Sequence, residues 1–258
     1  MGKLEDEPMI GPSDMTGKAA LVTGAAGGLG RATAFALADA GADVCLVDAN
    51  AEGLAETAGA ISTRTHVHAT DLGRPENCKA AVAAAVEAFG RLDALCNVAG
   101  VLRLANSAEM SVADWNLVLA VNLGAPFFLS QAAIPHLLER DGAIVNVSSL
   151  AAHIGEAYAA AYCASKAGLS NLTKAMAMEY MLKPIRINAI SPGGMNTPIG
   201  ASFVPPPGAD LSLLARFRPL RGLVELEDMA NMIAYLASPA SIGFHGADIQ
   251  MDKGITAG

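Results

Sequence analysis

Basic clusters are missing from this chain of 258 residues, in which 17 Lys and Arg stand against 25 Asp and Glu for a formal net charge of -8 at pH 7. Nucleic acids and anionic bilayers both reward concentrated Lys and Arg, so neither is expected as a partner. Cysteine is equally scarce. Cys45, Cys78, Cys96 and Cys163 lie 33, 18 and 67 residues apart, with no CxxC or metal-ligand spacing, so reduced buried thiols are expected. Of the five histidines only His66 and His68 share a strand face, and nothing supplies a third ligand, so no metal site is expected. No run approaches the ~20 apolar residues of a membrane span. The first fourteen residues, acidic with two prolines, do not resemble a signal peptide. The expectation is a cytoplasmic protein with a flexible N-terminal tail over residues 1–14. Charged residues are only 16% against 52% hydrophobic, an apolar excess that points to surface buried against another subunit.

From Lys18 onward, short apolar runs alternate with longer helical patterns, as βαβ units around a parallel sheet require. The pattern predicts strands over residues 18–23, 43–48, 65–69, 93–97, 143–148, 185–190 and 247–251. Helices are predicted over 28–40, 50–60, 74–89, 111–139 with a break near Pro126, 157–182, and 225–237. Linkers, charge blocks and internal repeats are absent between Lys18 and Met251, so residues 15–258 read as one α/β domain. The stretch from Pro192 to Gly222 departs from this rhythm. It holds five further prolines, which exclude one continuous helix, and ~30 residues is long for a connection in a compact domain. The segment 195–221 is therefore expected to be a lid.

Three stretches carry chemistry. Thr23 and the loop Gly24, Ala25, Ala26, Gly27, Gly28, Leu29, Gly30 stand between a strand and an alanine-rich helix. There glycines permit close backbone approach to a pyrophosphate, and the helix N-terminus offers free N–H groups. Asp48 closes the second strand 18 residues after Gly30. A carboxylate there accepts from ribose hydroxyls and repels a 2′-phosphate, favouring NAD over NADP; the same position also suits an N-cap of the next helix. The third stretch runs from Ser148 to Lys166. The apolar run Ala143 to Val147 reads as a buried strand that delivers Ser149 to the ligand-binding edge of the sheet. Tyr162 and Lys166, four apart on a helix, set an ammonium beside a phenol, which favours the phenolate and makes Tyr162 a candidate general acid or base. Ser148 is the alternative serine.

The TGxxxGxG form of the glycine loop, the NVAG sequence Asn97, Val98, Ala99, Gly100, the order and spacing of Ser149, Tyr162 and Lys166, and the turn Pro192–Gly193 together resemble the classical short-chain dehydrogenase/reductase family. That resemblance implies a single-domain Rossmann-type doubly wound sheet of about seven parallel strands in the order 3-2-1-4-5-6-7, with helices on both faces. It implies that Ser149 polarises the substrate oxygen, Tyr162 exchanges the proton, and Lys166 lowers the tyrosine pKa and binds the nicotinamide ribose. Asn122 would maintain a proton relay through its backbone carbonyl at a helix kink. Gly24, Gly28, Leu29, Gly30, Asp48, Asp71, Leu72, Asn97, Ala99, Gly100, Pro192, Gly193 and Thr197 would contact the cofactor, together with Tyr162 and Lys166, with Asp71 and Leu72 beside the adenine and Thr197 at the carboxamide. The implied function is NAD-dependent interconversion of a secondary alcohol and a ketone by a homo-oligomer, most often a tetramer. Helix-borne Phe127, Phe128, Leu169, Leu172, Met176 and Met181 are expected to supply its contacts. A 3-ketoacyl thioester reductase of the same family and a non-catalytic dinucleotide-binding protein are the alternatives. Pocket candidates such as Leu102, His153, Tyr158, Met195, Ile199 and Phe203 suggest a hydrophobic or cyclic substrate. Arg103 could meet an anionic group or face water, and His153 could line the pocket or sit in a surface loop. His245 and Lys253 depart from the family's threonine and glycine, which touches subunit packing and the pocket rim.

Overall fold

A computed structural model of the chain describes residues 13–201, 203–215 and 219–257. The tail expected over 1–14 lies outside the described residues except for Ser13 and Asp14. Strands β1 (Ala19–Thr23), β4 (Ala94–Asn97) and β5 (Gly142–Val147) are buried along their whole length. Their largely apolar sequences follow from this, because a parallel strand with helices on both faces has no solvated side to fill with polar residues, and the buried Asn97 and Asn146 pair with each other through a hydrogen bond at 2.8 Å. With β2 (Asp43–Asp48), β3 (Thr65–Ala69), β6 (Ile185–Pro192) and β7 (Asp248–Met251) they form one sheet in the order β3-β2-β1-β4-β5-β6-β7. Every pairing is parallel. One face is covered by α1 (Gly28–Asp39), α2 (Ala51–Gly59) and α9 (Leu226–Ala237); the other by α3 (Pro75–Phe89), α5 (Ala125–Leu138) and α6 (Ala160–Glu179). The strand order reverses between β1 and β4, and the crevice that an open parallel sheet leaves at such a reversal lies at the strands' C-terminal ends.

Strand and helix ends fall within about three residues of the predicted ones, and the differences have causes. The helix α6 starts at Ala160 rather than 157 because Tyr158 has φ 67, a left-handed conformation that a right-handed helix cannot include. The break expected near Pro126 lies two to six residues earlier, as a π-turn over Ala120–Gly124 between α4 (Val112–Leu119) and α5. Pro126 itself sits in the first turn of α5, where a proline is tolerated. Its chemistry still acts backwards, since it has no N–H to give to the carbonyl four residues earlier, that of Asn122. Within the continuous helical stretch Val112–Leu138 an 18-residue window has mean hydropathy 1.7, long and apolar enough by composition to cross a bilayer, contrary to the expectation that no stretch came near. Half of that window is buried inside the fold, as in a helix that packs on a core.

The insertion after β6 is pinned at its neck. Val224 N donates to Gly194 O at 2.9 Å, and Met195 and Val224 form an isolated parallel bridge. Between them the chain makes two short helices, α7 (Pro198–Ala201) and α8 (Leu211–Ala215), too short to persist without packing.

Candidate active site

A cavity of about 930 Å³ runs along the sheet edge from Asp48 to Glu156, roofed by Pro198, Ile199, Phe203, Leu214 and Pro219 of the insertion. Its floor is the glycine loop. Gly24 has φ +72 and lies so close to the β4 end that a Cβ would stand 3.0 Å from Ala99 Cα; a Cβ on Gly30 would be 2.0 Å from Gly24 O. Only glycine fits either place, and the tight turn leaves the N-terminus of α1 facing the cavity with its unpaired N–H groups. Thr23 ties the two strand ends together, its Oγ1 accepting from Val98 N and Ala99 N, both at 3.0 Å. A side chain on Gly28 would meet Pro198 Cδ at 3.0 Å, so the first helix of the insertion rests on the loop.

Asp48 lines this end of the cavity, its carboxylate accepting from Ala26 N at 3.3 Å and Asn50 N at 3.0 Å. The N-cap of α2 is Asn50, whose side chain accepts from Gly53 N at 3.1 Å, so capping does not account for Asp48. Sequence reasoning passed over Arg31. Its guanidinium donates to Ala26 O at 2.6 Å and to Thr57, and pairs with Glu56 at 2.8 Å, which braces the glycine loop against α2 from outside the cavity. Leu29, Ala99, Gly100, Pro192, Gly193 and Thr197 line the cavity. Asp71, Leu72 and Asn97, expected to contact the cofactor, are not among the residues that line it, because their side chains are engaged elsewhere: Asp71 accepts from Gly73 N at 2.9 Å, Leu72 is packed in the core, and Asn97 donates to Asn146 Oδ1 at 2.8 Å.

At the other end, Ser149, Tyr162 and Lys166 converge. The two candidate serines are separated by their partners. Both line the cavity, but Ser148 Oγ is bonded to Lys166 O at 3.0 Å and to Ser170 Oγ at 2.7 Å, clamping β5 to α6, whereas Ser149 Oγ accepts from Ala151 N at 3.2 Å and stands in hydrogen-bonding relation to Tyr162. Lys166 Nζ donates to Val147 O at 2.8 Å and lies 5.7 Å from the centroid of the Tyr162 ring. Proximity was expected to bring the phenol pKa down. Burial dominates instead: it pushes Tyr162 up to about 12, against the opposing hydrogen bond from Ser149 and with a further rise from the Glu156 charge, and it pulls Lys166 down to about 8. The physical reason is that both groups lie where a charge is poorly solvated, so each favours its neutral form.

Asn122 is fully buried behind this group. Its Oδ1 accepts from Val101 N at 2.8 Å, and its Nδ2 donates to Val101 O at 2.9 Å and Ser165 Oγ at 3.1 Å, locking the loop after β4 to α6. This explains an asparagine at a helical position that propensity disfavours.

Four residues left open by the sequence find places. His153 Nε2 lies 3.1 Å from Ser191 Oγ and 3.3 Å from Asp248 Oδ2, so it neither lines the cavity nor hangs in solvent. Arg103 pairs with Asp114 at 3.3 Å. His245 accepts from Ile187 N through Nδ1 at 3.3 Å and reaches Ala177 O through Nε2 at 2.7 Å, joining β6 to α6. Lys253 has φ 54, the left-handed conformation for which glycine is the usual choice, and its Nζ donates to Leu223 O. Glu156, by contrast, lines the cavity and was not singled out; its place in the short loop between Ser149 and Tyr162 was the available signal.

A family profile described as "Enoyl-(Acyl carrier protein) reductase" matches residues 24–256. D-threitol dehydrogenase of Mycolicibacterium smegmatis is 39% identical over 246 residues, 94% of each chain. The 2,5-dichloro-2,5-cyclohexadiene-1,4-diol dehydrogenase LinX of Sphingobium indicum is 39% identical over 251 residues, 95% of this chain and 98% of that one. Among solved structures, a protein of Beutenbergia cavernae provisionally assigned as an NAD(P)-dependent gluconate 5-dehydrogenase, with NADP bound at low occupancy, superposes with a TM-score of 0.85 at 32% identity, covering 96% of this chain and 100% of that one.

Proposed function

Since the chain belongs to the short-chain dehydrogenase/reductase family and is an oxidoreductase acting on CH–OH groups with a nicotinamide dinucleotide, we propose that it interconverts a secondary alcohol and a ketone with NAD, using Tyr162 as general acid and base. The observation that carries this reading is the convergence of Ser149, Tyr162 and Lys166 on one end of a cavity whose other end is Asp48 and the glycine loop. The close approach allowed at Gly24 and Gly30, and the α1 N-terminus, fit a pyrophosphate. When bound, the nicotinamide supplies or accepts the hydride. The chain does the rest. Ser149 orients the substrate oxygen, and Tyr162 Oη delivers a proton to it in reduction or takes one in oxidation. Lys166, held by Val147 O, favours the phenolate whenever it is charged. Asn122 positions the loop and helix on which these groups ride, and the missing N–H of Pro126 leaves its carbonyl short of a helical donor for the relay.

Asp48 supports NAD over NADP. Its carboxylate lines the cavity beside the glycine loop, where it would accept from ribose hydroxyls and repel a 2′-phosphate, and Arg31 is engaged by Glu56 and backbone carbonyls. The acyl-carrier wording of the family profile favours the ketoacyl thioester reductase as a second reading, against which the same carboxylate weighs. The test is reduction of NAD and of NADP by a panel of secondary alcohols and diols. Activity with NAD supports the reading; activity confined to NADPH and ketoacyl thioesters would replace it.

The insertion 195–221 serves in this reading as the lid. It covers the cavity from the glycine loop to Leu214, and Tyr158 holds its far side by accepting from Asp210 N at 2.7 Å. Closure would exclude water from the reacting atoms. A symmetric tetramer is supported by an apolar groove of about 530 Å³ between α5 and α6, lined by Leu123, Phe127, Phe128, Gly168 and Leu172, with Phe127 38% exposed. Leu169 and Met176 belong instead to the subunit's own interior, at 1% and 5% exposed. The acidic charge supports an enzyme without nucleic-acid or anionic-membrane partners, and its four cysteines, all free, fit a reducing cytoplasm.

A further inference from the structure

Three charged side chains line the cavity among the described residues: Asp48, Lys166 and Glu156. Two of them are engaged with the protein, Asp48 by two backbone N–H groups and Lys166 by Val147 O. Glu156 is not. Among the described residues no donor or cation reaches its carboxylate, although it is half-buried and its backbone is fixed on both sides, the N–H donating to Cys163 Sγ at 3.4 Å and the carbonyl accepting from Ala159 N at 3.2 Å. The carboxylate is close enough to Tyr162 for its charge to raise the phenol pKa, and burial raises its own above the usual carboxylate range. A part-buried carboxylate beside the proton donor, met by no protein donor among the described residues, keeps its acceptor capacity open to a molecule that enters the cavity. The remaining walls at this end, Leu102, Leu150, Met195, Ile199 and Phe203, offer apolar contact and no competing charge.

We propose that Glu156 is the specificity-determining residue of the substrate half, accepting a hydrogen bond from a second hydroxyl of the substrate, so that the enzyme prefers diols and polyols, cyclic or short-chain, to simple alcohols. The inference rests on the dehydrogenase reading and narrows its substrate class. A site that hydrogen-bonds a substrate hydroxyl discriminates strongly against an analogue lacking it, whereas apolar walls discriminate weakly. The same carboxylate repels anionic substrates such as hydroxy acids.

The test compares cyclohexanol, cis- and trans-1,2-cyclohexanediol and trans-2-aminocyclohexanol in wild type, Glu156→Gln and Glu156→Leu, with saturating dinucleotide. In wild type the better diol should exceed cyclohexanol in kcat/KM by at least about tenfold. Glu156→Leu should reduce that ratio by about tenfold or more, chiefly through the diol KM, and Glu156→Gln should fall between. Removing the charge should also move the alkaline limb of the alcohol-oxidation pH profile to lower pH, a change that a packing role would not produce. An unchanged diol-to-alcohol ratio in Glu156→Leu overturns the proposal, and a preference for the amino alcohol over both diols overturns its hydroxyl assignment. If no alcohol is turned over, the dehydrogenase reading fails separately, and melting curves decide the Glu156 claim. A diol-induced rise in Tm present in wild type and lost in Glu156→Leu supports it; equal rises in both overturn it.

Discussion

At the glycine-loop end of the cavity Asp48 accepts from Ala26 N and Asn50 N, while at the substrate end Glu156 has no protein donor among the described residues. The contrast extends to what builds each half. The Asp48 half is made of strand ends and the backbone between them, with Thr23 Oγ1 accepting from Val98 N and Ala99 N at 3.0 Å and Gly24 packed too close to Ala99 for a Cβ. Its partners are placed by sheet topology and leave little freedom. The Glu156 half is made of side chains carried on loops: Tyr158 in a left-handed conformation, a proline-rich insertion and two helices of four and five residues. Shared chemistry can therefore reside in the first half, while the second is free to vary with the substrate.

Breaking the chemistry without touching the cofactor half gives the largest expected effect. Tyr162→Phe keeps the ring against Lys166 but removes the exchangeable proton, so turnover should fall by at least about 10² while dinucleotide binding, followed by fluorescence titration, is retained. Near-normal turnover would remove Tyr162 from the mechanism.

The reverse operation acts on the other half. Asp48→Ser removes the charge opposing a 2′-phosphate, and the ratio of kcat/KM for NAD over NADP should fall by about tenfold, equivalent to ~1.4 kcal/mol. The rates with diol and simple alcohol should change together, since Asp48 lies at the far end of the cavity. A wild type that already prefers NADP would contradict the assignment.

A pH profile sharpens the comparison further. With Tyr162 near 12 and Lys166 near 8, the phenol holds its proton at neutral pH, ready for reduction, and oxidation depends on the small phenolate fraction. Alcohol oxidation should accordingly rise with pH from about 7 to 10, by at most about tenfold per unit, and less steeply above about 8 as Lys166 loses its charge; ketone reduction should not rise. An oxidation rate already flat at neutral pH would show that burial does not control the tyrosine.

The smallest effect concerns the roof. Arg221 is exposed near the neck of the insertion, so trypsin should cut after it several-fold more slowly with dinucleotide and a substrate analogue than without. Arg216, a second cleavage point, lies outside the described residues. Tyr158→Phe, which deletes the acceptor for Asp210 N, should speed the cut in the liganded state. Equal resistance in both states would make the insertion a fixed part of the wall.

Most of the architecture could be read from local pattern, because a strand buried on both faces must be apolar throughout and a helix between strands must carry its own period. Glycine at 24, 28 and 30, Asp48 and the Tyr162–Lys166 spacing were legible for a related reason: each is demanded by backbone geometry a few residues away. Three matters were decided only in three dimensions. The thirteen-residue offset to Tyr162 already favours Ser149 over Ser148, but the partners that hold Ser148 Oγ, Lys166 O and Ser170, lie 18 and 22 residues from it and show only in the fold. The π-turn at Asn122 depended on Val101 and Ser165 holding its side chain from both sides. For Glu156 the sequence offers only its place in the loop between Ser149 and Tyr162; its part-burial in the cavity, and the lack of a protein donor to it among the described residues, come from the packed chain. Local spacing determines which groups share a helix face or a strand end; burial and the long-range partners of a polar atom are properties of the packed chain, and these set the ionisation of Tyr162 and Lys166 and leave Glu156 on the cavity wall.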